Sequence, residues 1–202
     1  MPIKPSPFVS LQSAESRLIG ALISAQSADW VLEIAPVTSP SPELPIARCR
    51  VLFNADGCCW PFRSPLDAWP LDSESVPALI VRHAWQPGRP ADPLDEALRV
   101  LRPGGWLISV TANPWHPSAW RELGRQALWL PSWPQFQMLH ARRQLTLATP
   151  GRRVWEGLVP GLTPVLALLA RKPSRPARIR QLRFGKPRFA VSPAAATHCR
   201  AA

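Results

Sequence analysis

The chain has 202 residues, a hydrophobic content of 46% and a formal net charge of +11. The length suits one domain, the apolar fraction suffices for a core and excludes wholesale disorder, and the positive charge favours association with polyanions. The four cysteines fit neither a zinc spacing nor a small disulfide scaffold, so we expect reduced thiols and no metal site.

The sequence gives no sign of a targeting or membrane-spanning segment. The first residues, MPIKPSPF, hold one lysine and no apolar run of the kind a signal peptide needs. The apolar run Val165 to Ala170 is far shorter than the ~20 residues that cross a bilayer. We therefore expect a cytoplasmic protein with no membrane span.

The first half of the chain alternates between one helical pattern and several short apolar runs. Residues 1–10 are rich in proline and serine and predict a flexible terminus. Apolar residues at helical spacing then predict an amphipathic helix over 11–25, and the runs predict strands. Only a few residues separate the second run from the third, which favours a hairpin-like shortcut or a reduced sheet there. The predicted strands lie at 30–35, 48–53, 58–63 and 78–83.

A helix, a sharp turn and a buried strand follow in the stretch LDEALRVLRPGGWLISV, residues 94–110. Apolar residues recur at three- and four-residue spacing, and the carboxylates Asp95 and Glu96 favour the first turn of a helix. Arg99 and Arg102 fall in the predicted last turn. Pro103 would stop the helix, the two glycines would make the turn, and residues 106–110 would form a strand covered on both faces.

The last part of the chain predicts two more helical segments and a closing pair of strands. The helices are expected over 117–129 and within 131–143, and the strands at 145–148 and 161–170. A helix over 164–170 is the competing interpretation, because alanine and leucine favour it. We expect the domain to span 11–170 and to be followed by a basic, disordered tail over 171–202.

The segment ALRVLRPGGWLISV resembles the fifth strand and its preceding helix in class I S-adenosylmethionine-dependent methyltransferases. The family pattern there is E-x-x-R-V-L-K-P-G-G followed by an apolar strand. The resemblance implies an α/β fold, a Rossmann-like sheet with helices on both faces, whose antiparallel last strand would be 161–170. It also implies an S-adenosylmethionine-dependent methyltransferase of unknown acceptor. The matched residues are Glu96, Arg99, Val100, Leu101, Pro103, Gly104 and Gly105.

The same resemblance implies a cofactor site along the carboxyl ends of strands one to four. In the family the first strand ends in acid-x-Gly-x-Gly-x-Gly, a loop whose backbone approaches the ligand. Here Glu33 stands at the acidic position, and Ala35, Val37 and Ser39 stand at the glycine positions. Either this loop takes another path, or S-adenosylmethionine is bound weakly or not at all.

Further cofactor contacts are implied after the other strands. Asn54 and Asp56 are both candidates for the acidic position that bonds the ribose hydroxyls. Residues 64–76 resemble the family's D-a-x-x-L-P-F segment, with Ser64 at the adenine-side aspartate, Leu66 close after it, and Trp69-Pro70-Leu71 at the L-P-F core. His83 falls near the carboxyl end of the fourth strand, where ligands of open α/β sheets bind, and it is either a cofactor contact that could serve as a general base or a structural histidine.

An Asn-Pro pair after the fifth strand gives the one candidate for substrate binding. Asn113-Pro114 resembles the N-P-P-[YFW] element of amino-methylating enzymes, whose asparagine carbonyl would accept from a substrate amine. The alternative is a simple turn. No catalytic side chain can be assigned, because methyl transfer needs little beyond proximity and alignment.

Two functions therefore remain open. The first is an S-adenosylmethionine-dependent methyltransferase. The second is an inactive, methyltransferase-like binding protein that contacts nucleic acid through the basic segment 171–188, where Phe184, with Phe189 just beyond the segment, could stack on bases; the alternative for this tail is that it is solvated or held electrostatically against its own domain.

Overall fold

A computed structural model describes residues 9–24, 26–85, 92–143, 145–147 and 163–174. Within these ranges the chain forms four α-helices, one 3-10 helix and seven strands. The helices are α1 (Val9–Ser24), α2 (Leu94–Val100), α3 (Pro117–Leu123), the 3-10 helix (Gly124–Trp129) and α4 (Trp133–Ala141). The strands are β1 (Trp30–Pro36), β2 (Ala47–Asn54), β3 (Gly57–Trp60), β4 (Val76–Arg82), β5 (Leu101–Ala112), β6 (Thr146–Leu147) and β7 (Val165–Arg171).

The seven strands form one sheet in the order β3-β2-β1-β4-β5-β7-β6. Strands β2, β1, β4 and β5 run parallel, whereas β7 runs antiparallel to β5 over seven residue pairs. The competing helix over 164–170 is therefore wrong. Strand β3 folds back on β2 as an antiparallel hairpin, which confirms the predicted shortcut.

Side chains that alternate along the strands feed two separate apolar cores. One core lies under α1, α3 and the 3-10 helix and takes Val31, Ile80 and Ile108 from the sheet. The other lies under α2 and α4 and takes Leu32, Leu79 and Leu107. Because neighbouring residues of a strand point to opposite faces, a sheet with helices on both faces requires this pattern. The predicted layered α/β fold is confirmed.

The junction between α2 and β5 corrects one prediction. Helix α2 ends at Val100, and Leu101 already has an extended backbone, with φ −70° and ψ 129°. Arg102, Pro103 and both glycines consequently belong to β5 rather than to a helix end and a turn. The register of β5 against β4 shifts between Val76 and Ala78, and this irregularity accommodates the extra residues.

The backbone at position 105 of β5 requires glycine. A Cβ atom at this position would lie 2.8 Å from the carbonyl oxygen of Pro77 and 2.9 Å from that of Arg102. Since backbone atoms cannot move aside cheaply, only glycine lets β4 and β5 approach so closely.

One buried polar pair stabilises the α4 side. His140 is fully buried, with Nδ1 2.8 Å from the carbonyl oxygen of Phe136 and Nε2 2.7 Å from the Ser109 hydroxyl. Because a carbonyl oxygen can only accept, Nδ1 donates and Nε2 accepts from Ser109. Burial lowers the pKa of His140 to about 4, so the ring is neutral at pH 7.

The end of β7 bears on the basic tail. Arg171 is the last residue of β7, and Lys172 Nζ donates to the carbonyl oxygens of Leu98 and Leu101, both at 2.6 Å. These two cations are thus held by the domain. The remaining part of the predicted tail, 175–202, lies outside the described residues, so a nucleic-acid contact through 171–188 stays a prediction.

Candidate functional site

The carboxyl ends of β1, β2, β4 and β5 meet at one edge of the sheet because these strands are parallel. Ligands of open α/β sheets bind at this edge. The fold brings four of the predicted site residues to it. Ala35 is the next-to-last residue of β1, Asn54 ends β2, His83 follows β4 and Asn113 follows β5, whereas Glu33 lies in the middle of β1.

A buried charge network occupies the α1 side of this edge. Arg82 Nη1 lies 2.6 Å from Glu33 Oε1, and Arg82 Nε lies 2.6 Å from Glu15 Oε1. A second contact, from Arg82 Nη2 to Glu15 Oε2 at 2.9 Å, makes the pair with Glu15 bidentate. Glu33 and Arg82 are 0% exposed and Glu15 is 1% exposed. We refer to Glu15, Glu33 and Arg82 as the charge network.

His83 adjoins the charge network. Its Nε2 lies 3.3 Å from Glu15 Oε2, and its backbone N–H donates to the carbonyl oxygen of Val110 at 2.8 Å. Burial alone raises the pKa of the Glu15 carboxyl, but His83 and Arg82 outweigh it and lower that pKa to about 2. Burial lowers the pKa of Arg82, but its bonds with the two carboxylates outweigh burial and raise it. Glu15 and Arg82 are thus both charged at pH 7.

Two further arginines extend the charge network toward solvent. Arg50 lies beside Glu33 in register on β2, with Nε 3.4 Å from Glu33 Oε2, and Arg48 Nη1 lies 3.6 Å from the same oxygen. Oε1 of Glu33 is therefore hydrogen-bonded to Arg82, whereas Oε2 is buried at ion-pair distance from Arg48 and Arg50 and has no hydrogen-bond partner among the described residues.

The loop after β1, residues 37–46, is bound to the same arginines through its carbonyl oxygens. Arg82 Nη1 donates to Pro40 at 2.9 Å, while Arg50 donates to Ser39 and Arg48 to Pro42. Two N–H groups of this loop also have partners: Val37 donates to Phe53 and Ser39 to Pro36, each at 2.9 Å. These five backbone groups of the loop are thus bonded to the protein itself.

These contacts test whether β1 and its loop fit S-adenosylmethionine. A cofactor held in the family manner needs a free carboxylate at Glu33 and backbone groups that point toward the ligand. Glu33 instead neutralises Arg82 and faces Arg48 and Arg50, Ala35 is fully buried, and the loop turns its carbonyl oxygens toward guanidinium groups. The residues of β1 do not fit the cofactor in this arrangement.

The cofactor residues predicted after β2 and β3 have different surroundings. Asn54 and Asp56 are exposed in the turn between β2 and β3, where Asn54 Oδ1 accepts from the Asp56 N–H at 2.9 Å. Ser64 is half-buried, and its backbone pairs with that of Cys58. Leu66 is 3% exposed and belongs to the α2-side core. Asn54 and Asp56 are the two of these that could reach a ligand directly.

Asn113 uses both polar atoms of its side chain within the protein. Its Nδ2 donates to the carbonyl oxygen of Thr163 at 2.8 Å, and its Oδ1 accepts from the Trp115 N–H at 3.0 Å. The carbonyl oxygen of Pro114 accepts from the Trp120 indole at 2.8 Å. Such bonds are those of a turn that ties β5 to β7, and a role of Asn113 and Pro114 in substrate binding stays a prediction.

Sequence reasoning missed Glu15, Arg48, Arg50 and Arg82. For two of them, Glu15 and Arg82, the sequence carried a signal. Glu15 falls on the apolar face of α1, four residues after Leu11 and three before Leu18. Arg82 closes the otherwise apolar run of β4. A charge placed where the pattern demands an apolar residue must find an opposite charge.

The described residues hold neither a metal-binding cluster nor a membrane-spanning helix. No group of three or more histidine, cysteine, aspartate or glutamate side chains there could hold a metal ion. The helices of this part of the chain are also too short or too polar to cross a bilayer.

Comparisons with known proteins concern the fold. No protein-family profile and no curated protein matches the chain. Among solved structures, the complex between the Haloferax volcanii Trm112 methyltransferase activator and a candidate methyltransferase matches at 13% identity and a TM-score of 0.50, covering 84% of this chain and 92% of that one. A SAM-dependent methyltransferase from Aquifex aeolicus matches at 12% identity and 0.49, covering 83% and 93%.

A third similar structure is the geranyl diphosphate C-methyltransferase from Streptomyces coelicolor A3(2), solved with S-adenosyl-L-homocysteine. It matches at 17% identity and a TM-score of 0.46 and covers 81% of this chain and 78% of that one. The strand order, the antiparallel β7 and the likeness at a TM-score of 0.50 lead to one conclusion about architecture. The chain has the class I S-adenosylmethionine-dependent methyltransferase fold.

Proposed function

We propose that this chain is a non-catalytic binding protein, which keeps the methyltransferase fold and does not hold S-adenosylmethionine at β1. The observation that supports the proposal is the charge network, in which Glu33 is paired with Arg82 and Arg82 with Glu15 in full burial. The carboxylate that would serve a cofactor serves the core instead. Fold does not by itself imply activity, so the site decides.

A comparison of free energies supports the non-catalytic proposal. A cofactor that takes Oε1 of Glu33 must displace Arg82, and breaking a buried ion pair costs about 3–5 kcal/mol. An affinity of about 100 µM corresponds to roughly 5.5 kcal/mol. The reorganisation would therefore consume most of the free energy that a useful affinity provides.

The second candidate is an S-adenosylmethionine-dependent methyltransferase of unknown acceptor. One observation favours it: Asn54 and Asp56 are exposed at the carboxyl end of β2, beside the end of β1. An amide and a carboxylate at this place could accept from ribose hydroxyls. The chain would then bind the cofactor by its β2 side, without Glu33.

Isothermal titration of the full chain with S-adenosylmethionine and with S-adenosylhomocysteine tests the two candidates. We expect no saturable heat at millimolar ligand. Saturable binding tighter than about 100 µM, or roughly 5.5 kcal/mol, would contradict the proposal. In that case Asp56→Asn should weaken binding if the second candidate is right, whereas the matched exposed change Asp67→Asn should leave it unchanged.

A further inference from the structure

The connection between β5 and α4 exposes large apolar side chains on a well-anchored backbone. Trp115 is 74% exposed, Leu128 67% and Trp129 77%, with Trp120 at 41%. We refer to these four residues as the aromatic segment. Ala119 and Ala127, from the same stretch, are fully buried in the α1-side core. The backbone is thus fixed against the domain while the large side chains face outward.

Local hydrogen bonds position the aromatic segment. His116 caps α3 by accepting from the Ser118 N–H at 3.2 Å, and Pro117 starts the helix. The Trp120 indole N–H donates to the carbonyl oxygen of Pro114 at 2.8 Å. Since its polar atom has a partner inside the protein, Trp120 offers an apolar ring to whatever covers the segment.

Positive charge predominates in the stretch of chain that carries the aromatic segment. Arg121 and Arg125 are exposed within it, and Glu122 is the single acidic residue of the sequence from 97 to 155. This one-sided charge matches an anionic surface. The exposed tryptophans suit an interface in which one end of a ring is apolar and the other is wet.

We propose that the aromatic segment docks this protein onto the surface of an anionic lipid bilayer. Tryptophan and leucine side chains would enter the headgroup boundary, and Arg121 and Arg125 would bind lipid phosphates. Leu128 beside Trp129 favours lipid over nucleic acid, because bases stack on aromatic faces and gain little from an aliphatic chain. The inference goes beyond the proposed function and does not depend on whether a cofactor binds at β1.

Co-sedimentation of the full chain with vesicles tests the proposal. We expect binding to vesicles that contain phosphatidylglycerol and little binding to pure phosphatidylcholine. The double variant Trp115→Ala/Trp129→Ala should bind at least about tenfold more weakly, because it loses most of the apolar area that enters the lipid. Arg125→Gln should weaken binding about fivefold, as expected for one cation at an anionic surface.

Control variants on β3 and near it distinguish docking through the aromatic segment from the mere loss of an exposed tryptophan or an exposed cation. Trp60→Ala removes a tryptophan of 57% exposure on β3, and Arg63→Gln removes an exposed cation near it; both should bind like the unchanged chain. Because all altered side chains are exposed, thermal midpoints should stay equal. Quenching of tryptophan emission by brominated lipid should fall in the double variant.

Three results would overturn the proposal. The first is equal vesicle binding by the double variant and by Trp60→Ala, which would assign binding to another part of the chain. The second is no binding to anionic vesicles. The third is concentration-dependent self-association, or salt-dependent RNA retention in gel shifts, that the double variant abolishes while vesicle binding is unchanged.

Discussion

The two halves of the sheet are stabilised by different chemistry. Between β5 and β7, seven residue pairs join strands whose buried side chains are almost all apolar. Between β1 and β4, the α1 side carries Glu33 and Arg82 in full burial, with Glu15 above them. The resemblance to methyltransferases is strong in the apolar half and weak in the charged half. Packing alone can maintain the fold, whereas a cofactor site demands particular polar groups.

The matched motif residues Glu96 and Arg99 support this distinction. Glu96 accepts from the Trp69 N–H at 2.6 Å and bonds Arg99, whose Nη2 donates to the carbonyl oxygens of Trp69 and Leu71 at 3.0 and 2.8 Å. These bonds fasten the segment before β4 to α2. The best-matched part of the sequence thus does structural work.

The largest expected effect is in the charged half. Arg82→Met leaves two buried carboxylates without their shared cation, and we expect the free energy of unfolding to fall by about 3–5 kcal/mol. Urea denaturation measures it. Arg63→Met, which removes an exposed cation, is the control and should change stability by less than about 0.5 kcal/mol. A loss below about 1 kcal/mol for Arg82→Met would mean that the network stabilises little and could open for a ligand.

Lowering the pH should reduce stability through the two faces of the sheet over two different pH ranges. His140 and Glu15 both have a folded-state pKa below the ordinary value, so each contributes stability that is present at higher pH and lost as pH falls. The loss from His140 should run from about 6.5 to about 4, and that from Glu15 from about 4.5 to about 2. The free energy of unfolding lost over each of these two pH ranges should amount to at most about 3 kcal/mol.

Urea denaturation over a pH series measures these two losses of stability. His140→Phe should remove the pH dependence at the higher range and Glu15→Gln that at the lower range, whatever either change does to stability at pH 7. Stability that is constant from pH 6.5 to 5 in the unchanged chain would show that His140 is not held neutral by burial.

The smallest effect concerns the clamp made by Glu96. Glu96→Gln keeps the shape of the side chain but weakens its charge-assisted bonds to Arg99 and Trp69, and we expect a loss of about 1–2 kcal/mol. Glu43→Gln, at an exposed loop position, should be neutral within about 0.5 kcal/mol. If both changes were neutral, the motif would need an explanation other than stability.

Short-range patterns in the sequence predicted most elements of the fold. The period of Leu11 to Ile23 gave α1, the apolar runs gave β1, β2, β4 and β7, and the brief spacing after Phe53 gave the hairpin. The start of β5 was missed because Pro-Gly-Gly usually ends a helix, and here close approach to Pro77 keeps it in a strand.

The candidate site was far less predictable. Arg82 meets Glu15 across 67 residues of sequence and Glu33 across 49, and no periodicity reports such a pairing. The position of Glu33 in the motif implies a contact with the cofactor, whereas in the structure its carboxylate pairs with arginines. Asn113 was likewise recognised as special, yet its bonds to Thr163 and Trp115 depend on where β7 returns.

The two edges of the sheet bear on how copies of this chain meet. Strand β3, at one edge, has four residues and is followed by Pro61, which has no N–H to donate; at the other edge, two residues of β6 lie within the described range 145–147. Long, flat edges invite strand pairing between molecules, and short ones limit it. At high concentration, association of this protein through intermolecular extension of its sheet is therefore disfavoured at the β3 edge.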